Sequence, residues 1–447
     1  MAVLLTWLGP FSMDAYSPAF PAIQKDFATS AGAVQATLAT TLIGLALGQL
    51  LVGPISDRYG RRRPLLVGLS GYVVGSVLCA SAWTIELLIA ARFVQGFAAA
   101  TGIAIARAIA RDVHSGTQLA RFYSLLTAAT AIAPMVAPIA GAGLLESGLS
   151  WRWIFGVTLI LGVIGLAAVV LLLPETHPRW IGGVDRAVTE AGRPQPEPTA
   201  HLSLWVLLRR REVFVSALVL GLCGAAMIAH LAGLSFFLQD ERGLSPAAYG
   251  AVFALDALGL VIANNVNRFV LRRWSSRQVL SVSVPVMLVF ALVFAALLRA
   301  EAPLPAVLPA LFLFISCWGF VMPNAVAVGM SVERAAAGRA SAILGVAQFG
   351  FAAFSAPLVG TIPVIAGTPP MATVIVVCLA GAVVTQIVAR LVGRRAATLA
   401  PAGVPGRRGF RRQPSAALMA ERTCVSPAAQ LVDRHVCAKG SEANPTS

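Results

Sequence analysis

The chain has 447 residues, 57% of them hydrophobic and only 12% charged, with a mean hydropathy of +0.79. Soluble domains carry about 25% charged residues, so the composition excludes a water-soluble globule. A net charge of +15 would suggest nucleic acid in a soluble protein, but here the placement of the basic residues explains it without such a partner.

The apolar residues fall in blocks of about 18–25, each long enough to carry a helix across about 30 Å of hydrocarbon. Twelve spans are expected, at 2–22, 32–55, 64–83, 86–110, 120–145, 153–173, 212–237, 247–268, 277–298, 303–327, 339–363 and 370–392. The expected fold is an all-α membrane protein of twelve transmembrane helices in two six-helix, pseudo-symmetric bundles, 1–173 and 212–392. Between them, 174–211 is rich in Pro, Arg and Glu and reads as a flexible aqueous linker. Residues 393–447 have no apolar span and read as a disordered tail. Of the 34 Lys and Arg, 28 lie in the connections after even-numbered spans and the tail or at the span ends bordering them, 4 in the connections after odd-numbered spans, and Arg92 and Arg107 inside the fourth span. The positive-inside rule then puts both termini, the linker and the tail in the cytoplasm of a bacterial cell.

The first span opens the chemistry. "GPFSMDAYSPAFPAI", 9–23, sets one acid, Asp14, among Pro10, Pro18 and Pro21, a composition unlike a signal peptide. Pro18 has no N–H, so the Asp14 carbonyl loses its helical partner, and Pro21 does the same to Ser17. Backbone groups freed at that depth must face protein or water, which predicts a bent, polar segment. Asp14 lies about 16 Å below the Lys25 end by helical rise. A carboxylate there either binds and releases protons as water access changes or locks helices in an ion pair. Arg92, in the fourth span with Gln95 at i+3, is its expected partner.

Later spans add fewer polar groups. "APMVAPIAGAGL", 133–144, combines Pro134, Pro138 and Gly141 into a segment able to bend and pack closely. In "WRWIF", Trp151 and Trp153 read as anchors at the membrane interface. His230 in the seventh span has a ring that suits proton exchange or a neutral hydrogen bond. Asp256 in the eighth is either functional or paired with a neighbouring helix. Asn324 and Gln348 could line a cavity or tie helices together. Ser30 and Ser245 suit helix N-caps, with Pro246 at the first helical position. "APIAG" at 137–141 and "APLVG" at 356–360 recur six spans apart, as in transporters built from repeats.

Taken together, the loop "GPISDRYGRRRPLL" (53–66), "ARFVQGFAAATG" (91–102) and "APMVAPIAGAGL" resemble signatures of the major facilitator superfamily. Finer strings, "DAYSPAFPAI", "WRWIF", "FVMPNAVAV" and "ASAILGVAQF", resemble its bicyclomycin-resistance (Bcr/CflA) type drug:proton antiporters. That pattern has an aromatic where His230 stands and Asn where Asp256 stands. The resemblance implies a gating loop carried by Gly53, Asp57, Arg58, Gly60 and Arg61, and a helix-5 antiporter motif at Pro134, Pro138 and Gly141. From the residues themselves, Asp14, His230 and Asp256 are the proton-coupling candidates, and Asp14, Arg92, Gln95, Asn324 and Gln348 are the residues expected to reach a cavity.

The expected function is proton-coupled efflux of small lipophilic or cationic compounds across the cytoplasmic membrane by a monomer, with no cofactor, no metal and no enzymatic activity. Metabolite transport on the same scaffold is the alternative. Direct ATP drive is not indicated, since no GxxxxGK[ST] loop occurs. "GLSG" at 68–71 and "AHLAG" at 229–233 resemble strings of rhomboid-type intramembrane proteases, but Ser70 and His230 fall at different depths in different halves.

Overall fold

The computed structural model describes residues 2–113, 116–176, 204–331, 337–365 and 367–398. Two units separate along the chain, Met1–Leu391 and Val392–Ser447, and the helix bundle belongs to the first.

The first passage is broken into α1 (Ala2–Asp14), a 3-10 turn (Ser17–Ala19) and α2 (Phe20–Asp26). After it come α3 (Ala31–Tyr59), α4 (Arg62–Ala80), α5 (Ile85–Val113), α6 (Gly116–Glu146) and α7 (Arg152–Leu172). A short helix, α8 (Leu204–Arg209), precedes α9 (Arg211–Phe236), which ends in a π turn over Phe237–Glu241. Then come α10 (Pro246–Val270), α11 (Ser276–Arg299), α12 (Leu304–Gly329), α13 (Ala337–Thr361) and α14 (Pro370–Thr398). Twelve helical passages result among the described residues. Ten contain helices long and apolar enough to cross a membrane, and the fifth adds the apolar stretch Ile132–Glu146. This is a multi-pass membrane protein.

The expected caps form. Ser30 accepts from the Ala33 N–H at 3.2 Å and Ser245 from the Ala248 N–H at 3.2 Å. Such caps satisfy donors that the first helical turn leaves free. Ser275 and Gln278 add a capping box at the start of α11 that was not among the expected caps.

Helix pairing repeats with an offset of six passages. In the first half α3 packs on α5, α4 on α5, α1 on α6 and α1 on α5. In the second, α10 packs on α12, α11 on α12, α9 on α13 and α9 on α12. The halves meet along two seams, α3 with α13 and α6 with α10, which the same offset exchanges. This is the pseudo-twofold arrangement expected from the repeated strings.

Two expectations need correction. The segment 174–211 is not wholly a loose linker: Glu175 is hydrogen-bonded and Leu204–Arg209 is helical. Its middle, like most of the 393–447 tail, lies outside the described residues. Trp151 is no interface anchor either, being 4% exposed, whereas Trp153 is 57% exposed. The indole of Trp151 instead donates to Asp26 at 3.0 Å.

Candidate functional site

The break in the first passage follows from its prolines. The Asp14 carbonyl, deprived of a helical N–H by Pro18, accepts from the Ser17 hydroxyl at 2.8 Å. The Ser17 carbonyl, deprived by Pro21, accepts the Phe20 N–H within the 3-10 turn. Ser17 in turn accepts from the Tyr249 hydroxyl of α10 at 3.0 Å. A polar line thus runs from the helix break into the second half. The Asp14 carboxylate, partly exposed, receives no hydrogen bond or ion pair among the described residues.

Arg92 does not supply the expected partner. It is fully buried, donating from Nη1 to Gln95 Oε1 at 2.5 Å. Its guanidinium lies 4.2 Å from the centre of the Tyr16 ring and 5.6 Å from that of Phe155. Gln95 passes the contact on, donating to Ser76 at 2.8 Å and Thr158 at 3.3 Å. An arginine in a span costs about 2.5–3.5 kcal/mol on insertion scales. A desolvated cation–π contact of about 2 kcal/mol and a charge-assisted hydrogen bond of about 1.5–3 kcal/mol offset part of that without any carboxylate, while Nε and Nη2 stay buried with no hydrogen-bond partner among the described residues. Arg92 and Gln95 therefore tie α4, α5 and α7 together, and Asp14 is left unclaimed.

In the second half, His230 of α9 and Asp256 of α10 face each other, Nε2 to Oδ2, at 3.9 Å. Sequence reasoning singled out both without pairing them. The His230 ring stacks on Phe253 and meets Phe314 edge-on. Tyr249, one of the residues not foreseen, lies within electrostatic reach of both Asp14 and Asp256. The i, i+4, i+7 spacing of Tyr249, Phe253 and Asp256 puts them on one helix face, a signal present in the sequence. Asn324 is 1% exposed and donates to Asn267 at 2.9 Å, so it ties α12 to α10 rather than lining a cavity. Gln348 is half-buried and packs against Gly224 of α9. Ser70 is exposed on α4, so no Ser–His dyad forms with buried His230.

At the end of the bundle away from the basic loops, the halves are joined by polar contacts. Gln35 donates to the Ala232 carbonyl at 3.0 Å and Gln239 to the Pro18 carbonyl at 3.0 Å. Glu146 accepts the Ala247 N–H at 3.1 Å, and Lys25 stands 3.9 Å from Asp240. None of these ties was anticipated. The helix-5 motif works at this closed side. A Cβ on Gly141 would overlap the Ala15 carbonyl oxygen at the break in the first passage. The Pro138 carbonyl lies against Gly250 of α10. Pro134 is half-buried on the same helix.

Toward the basic end a cleft of about 180 Å³ opens between α3, α5 and α13. Ala46, Leu50, Ile103 and Phe349 supply much of its wall, with Gln49 and Ser341 among its few polar groups. Ile103 also packs on Gly9 of α1, about 7.5 Å of helical rise from Asp14.

The 53–66 loop forms a compact ion cluster. Arg61, 6% exposed, donates to Asp57 at 2.6 Å, Ser56 at 2.6 Å and Asp112 of α5 at 2.8 Å. Glu175 accepts the backbone N–H groups of Arg61 at 2.8 Å and Arg62 at 3.1 Å. Gly60 has φ +84, and its missing Cβ leaves room for that carboxylate. Arg58 lies over Tyr59 on the exposed face. Gly53 has open space around it, so it makes no close helix approach here.

Twelve apolar passages, two interchangeable halves and a few charged side chains set within the passages define a polytopic transporter rather than an enzyme. Residues 2–357 match the family model described as Major Facilitator Superfamily, and the chain belongs to that superfamily. It is 34% identical over 362 residues to an MFS-type transporter of Bacillus subtilis (strain 168), YdgK, covering 80% of this chain and 87% of that one. It is 28% identical over 378 residues to a bicyclomycin resistance protein homolog of Haemophilus influenzae, covering 83% and 90%. Among solved structures, a D-xylose-proton symporter superposes with a TM-score of 0.70 at 15% identity, over 87% of this chain and 95% of that one, a likeness of fold.

Proposed function

We infer that the protein exports small, lipophilic or cationic drug-like compounds in exchange for protons, across a bacterial cytoplasmic membrane. The observation that carries this reading is Asp14, an intramembrane carboxylate with no hydrogen bond or ion pair among the described residues, at the break of the first passage. An acid in that position is held at a cost of about 2.5–3.5 kcal/mol on insertion scales, and nothing near it offsets the cost. A proton or a cationic compound would.

Three further observations support it. The cleft wall is mostly apolar, which suits lipophilic cargo better than sugars, whose hydroxyls call for many polar partners. The basic loops all lie at one end, which the positive-inside rule assigns to the cytoplasm. The relative from Haemophilus influenzae carries the name of a drug-resistance protein. In this reading the closed end faces outward, the cleft opens to the cytoplasm, and each chain works alone. The two six-helix bundles, 1–173 and 212–392, rock about the polar line between Asp14 and Asp256, and a proton arriving at Asp14 displaces the bound compound.

The test is expression in an efflux-deficient bacterium against a panel of antibiotics and dyes, with and without an uncoupler. Wild type is expected to raise resistance in an uncoupler-sensitive way, and Asp14→Asn to abolish it at unchanged membrane abundance. Full resistance in Asp14→Asn would remove Asp14 from the mechanism.

A further inference from the structure

His230 and Asp256 are each more than nine-tenths buried, 3% and 4% exposed. The atoms they turn toward each other, His230 Nε2 and Asp256 Oδ2, are both buried without a hydrogen-bond partner. At 3.9 Å they are too far apart to be bonded directly. The tautomer explains the gap. The backbone group acting on His230 is that of Met227, three residues earlier on α9, whose carbonyl can only accept. With the ring N–H assigned to the nitrogen facing that carbonyl, Nε2 presents a lone pair to a carboxylate oxygen. Two acceptors face each other across a space that lacks a proton.

The surroundings supply none. The rings of Phe253 from α10 and Phe314 from α12 flank the imidazole. Tyr249 lies within reach of Asp256, but its hydroxyl hydrogen is directed at Ser17. Through Tyr249 the nearest other acid is Asp14. No other charged side chain among the described residues bears on either member of the pair.

We propose that His230 and Asp256 form a second proton-binding site, in which one proton is held between Nε2 and Oδ2 and draws α9 and α10 together. Loading adds one proton and one unit of positive charge to the pair, forming an N–H bond at Nε2; release breaks that bond and returns the proton to water. A bonded imidazolium–carboxylate contact spans about 2.7–2.9 Å, so loading closes the present gap by about 1 Å. That movement falls beside the Tyr249–Ser17 link to the first passage and so reaches the seam between the halves. The site rests on the exchange reading above and deepens it, because two proton sites in one molecule give a steeper pump than Asp14 alone.

Two measurements decide it. The first needs no substrate: NMR of [15N]histidine-labelled purified protein, with the His230 signal identified by its loss in His230→Gln. Wild type is expected to show the doubly protonated ring of His230 within about pH 5–8, and Asp256→Asn to lose it. A His230 ring that stays neutral throughout, or titrates identically in Asp256→Asn, would overturn the proposal. The second uses ethidium in reconstituted vesicles under an imposed difference of one pH unit. Each coupled proton then contributes about a tenfold limiting gradient, so Asp256→Asn should reach a gradient about tenfold lower than wild type. An unchanged gradient would likewise overturn it. Failure of the Asp14→Asn test would remove the exchange reading, while the histidine titration would still decide whether the pair binds a proton.

Discussion

Asp26 closes α2 with Oδ2 accepting from Arg152 at 2.7 Å and from the Trp151 indole at 3.0 Å. The hydrogen bond from Arg152 leads in holding its carboxyl below the usual carboxylate range. A depressed carboxylate contributes stability that is present above the unfolded value of about 3.9 and is lost as pH falls through the folded one. With both partners over a third exposed, the contribution is that of a surface pair, about 0.2–1 kcal/mol. Thermal unfolding of the purified protein should therefore show wild type slightly ahead of Asp26→Asn at pH 7, with the difference beginning to shrink as the pH falls below about 4 and closing as the folded carboxyl takes up its proton. A difference that does not shrink at all below about pH 4 would mean the pair acts through packing alone. At this scale the sequence identified the charged residues inside the spans but not their partners. Asp14 and Arg92 have complementary charges, yet Arg92 is turned toward Gln95 and Tyr16. Which way a side chain points across two helices depends on their rotation about their axes, and no local pattern encodes that rotation.

The elements themselves were largely legible, because proline, serine caps and apolar length act locally. The break at Pro18 follows from a missing N–H, and the caps at Ser30 and Ser245 from residue type and position. Less legible was the π turn at Phe237–Glu241, which no proline or glycine within it announces. It carries Gln239, whose bond to Pro18 joins the seventh passage to the first. The fifth passage gives the sharpest prediction. Gly141 faces a backbone oxygen that cannot move aside, so Gly141→Ala should destabilise the protein by about 1–3 kcal/mol, read as a lower Tm. Gly143→Ala, with open space around it, should stay within about 0.5 kcal/mol of wild type. Equal effects would show that the α1–α6 approach tolerates a methyl group.

For the whole molecule, the arrangement of two interchangeable halves was readable from the repeated strings and from the basic loops. The seams were not, since α3 with α13 and α6 with α10 pair residues far apart in the chain. Lys25 and Asp240 face each other across the closed end and are both accessible. A short thiol cross-linker applied to the Lys25→Cys/Asp240→Cys double variant should arrest efflux, while the untreated variant and treated Lys25→Cys keep it. Continued efflux by cross-linked molecules would show that this end need not open during transport.

The divided first passage also bears on how the protein is made. A stretch broken into helices of 13, 3 and 7 residues presents no single uninterrupted rod to the bilayer as it leaves the ribosome. Its backbone at Ala15 is closely approached by Gly141, more than a hundred residues later in the chain. The first passage is thus seated in part by a helix that follows it by more than a hundred residues, and its packing is completed only with the fifth passage in place.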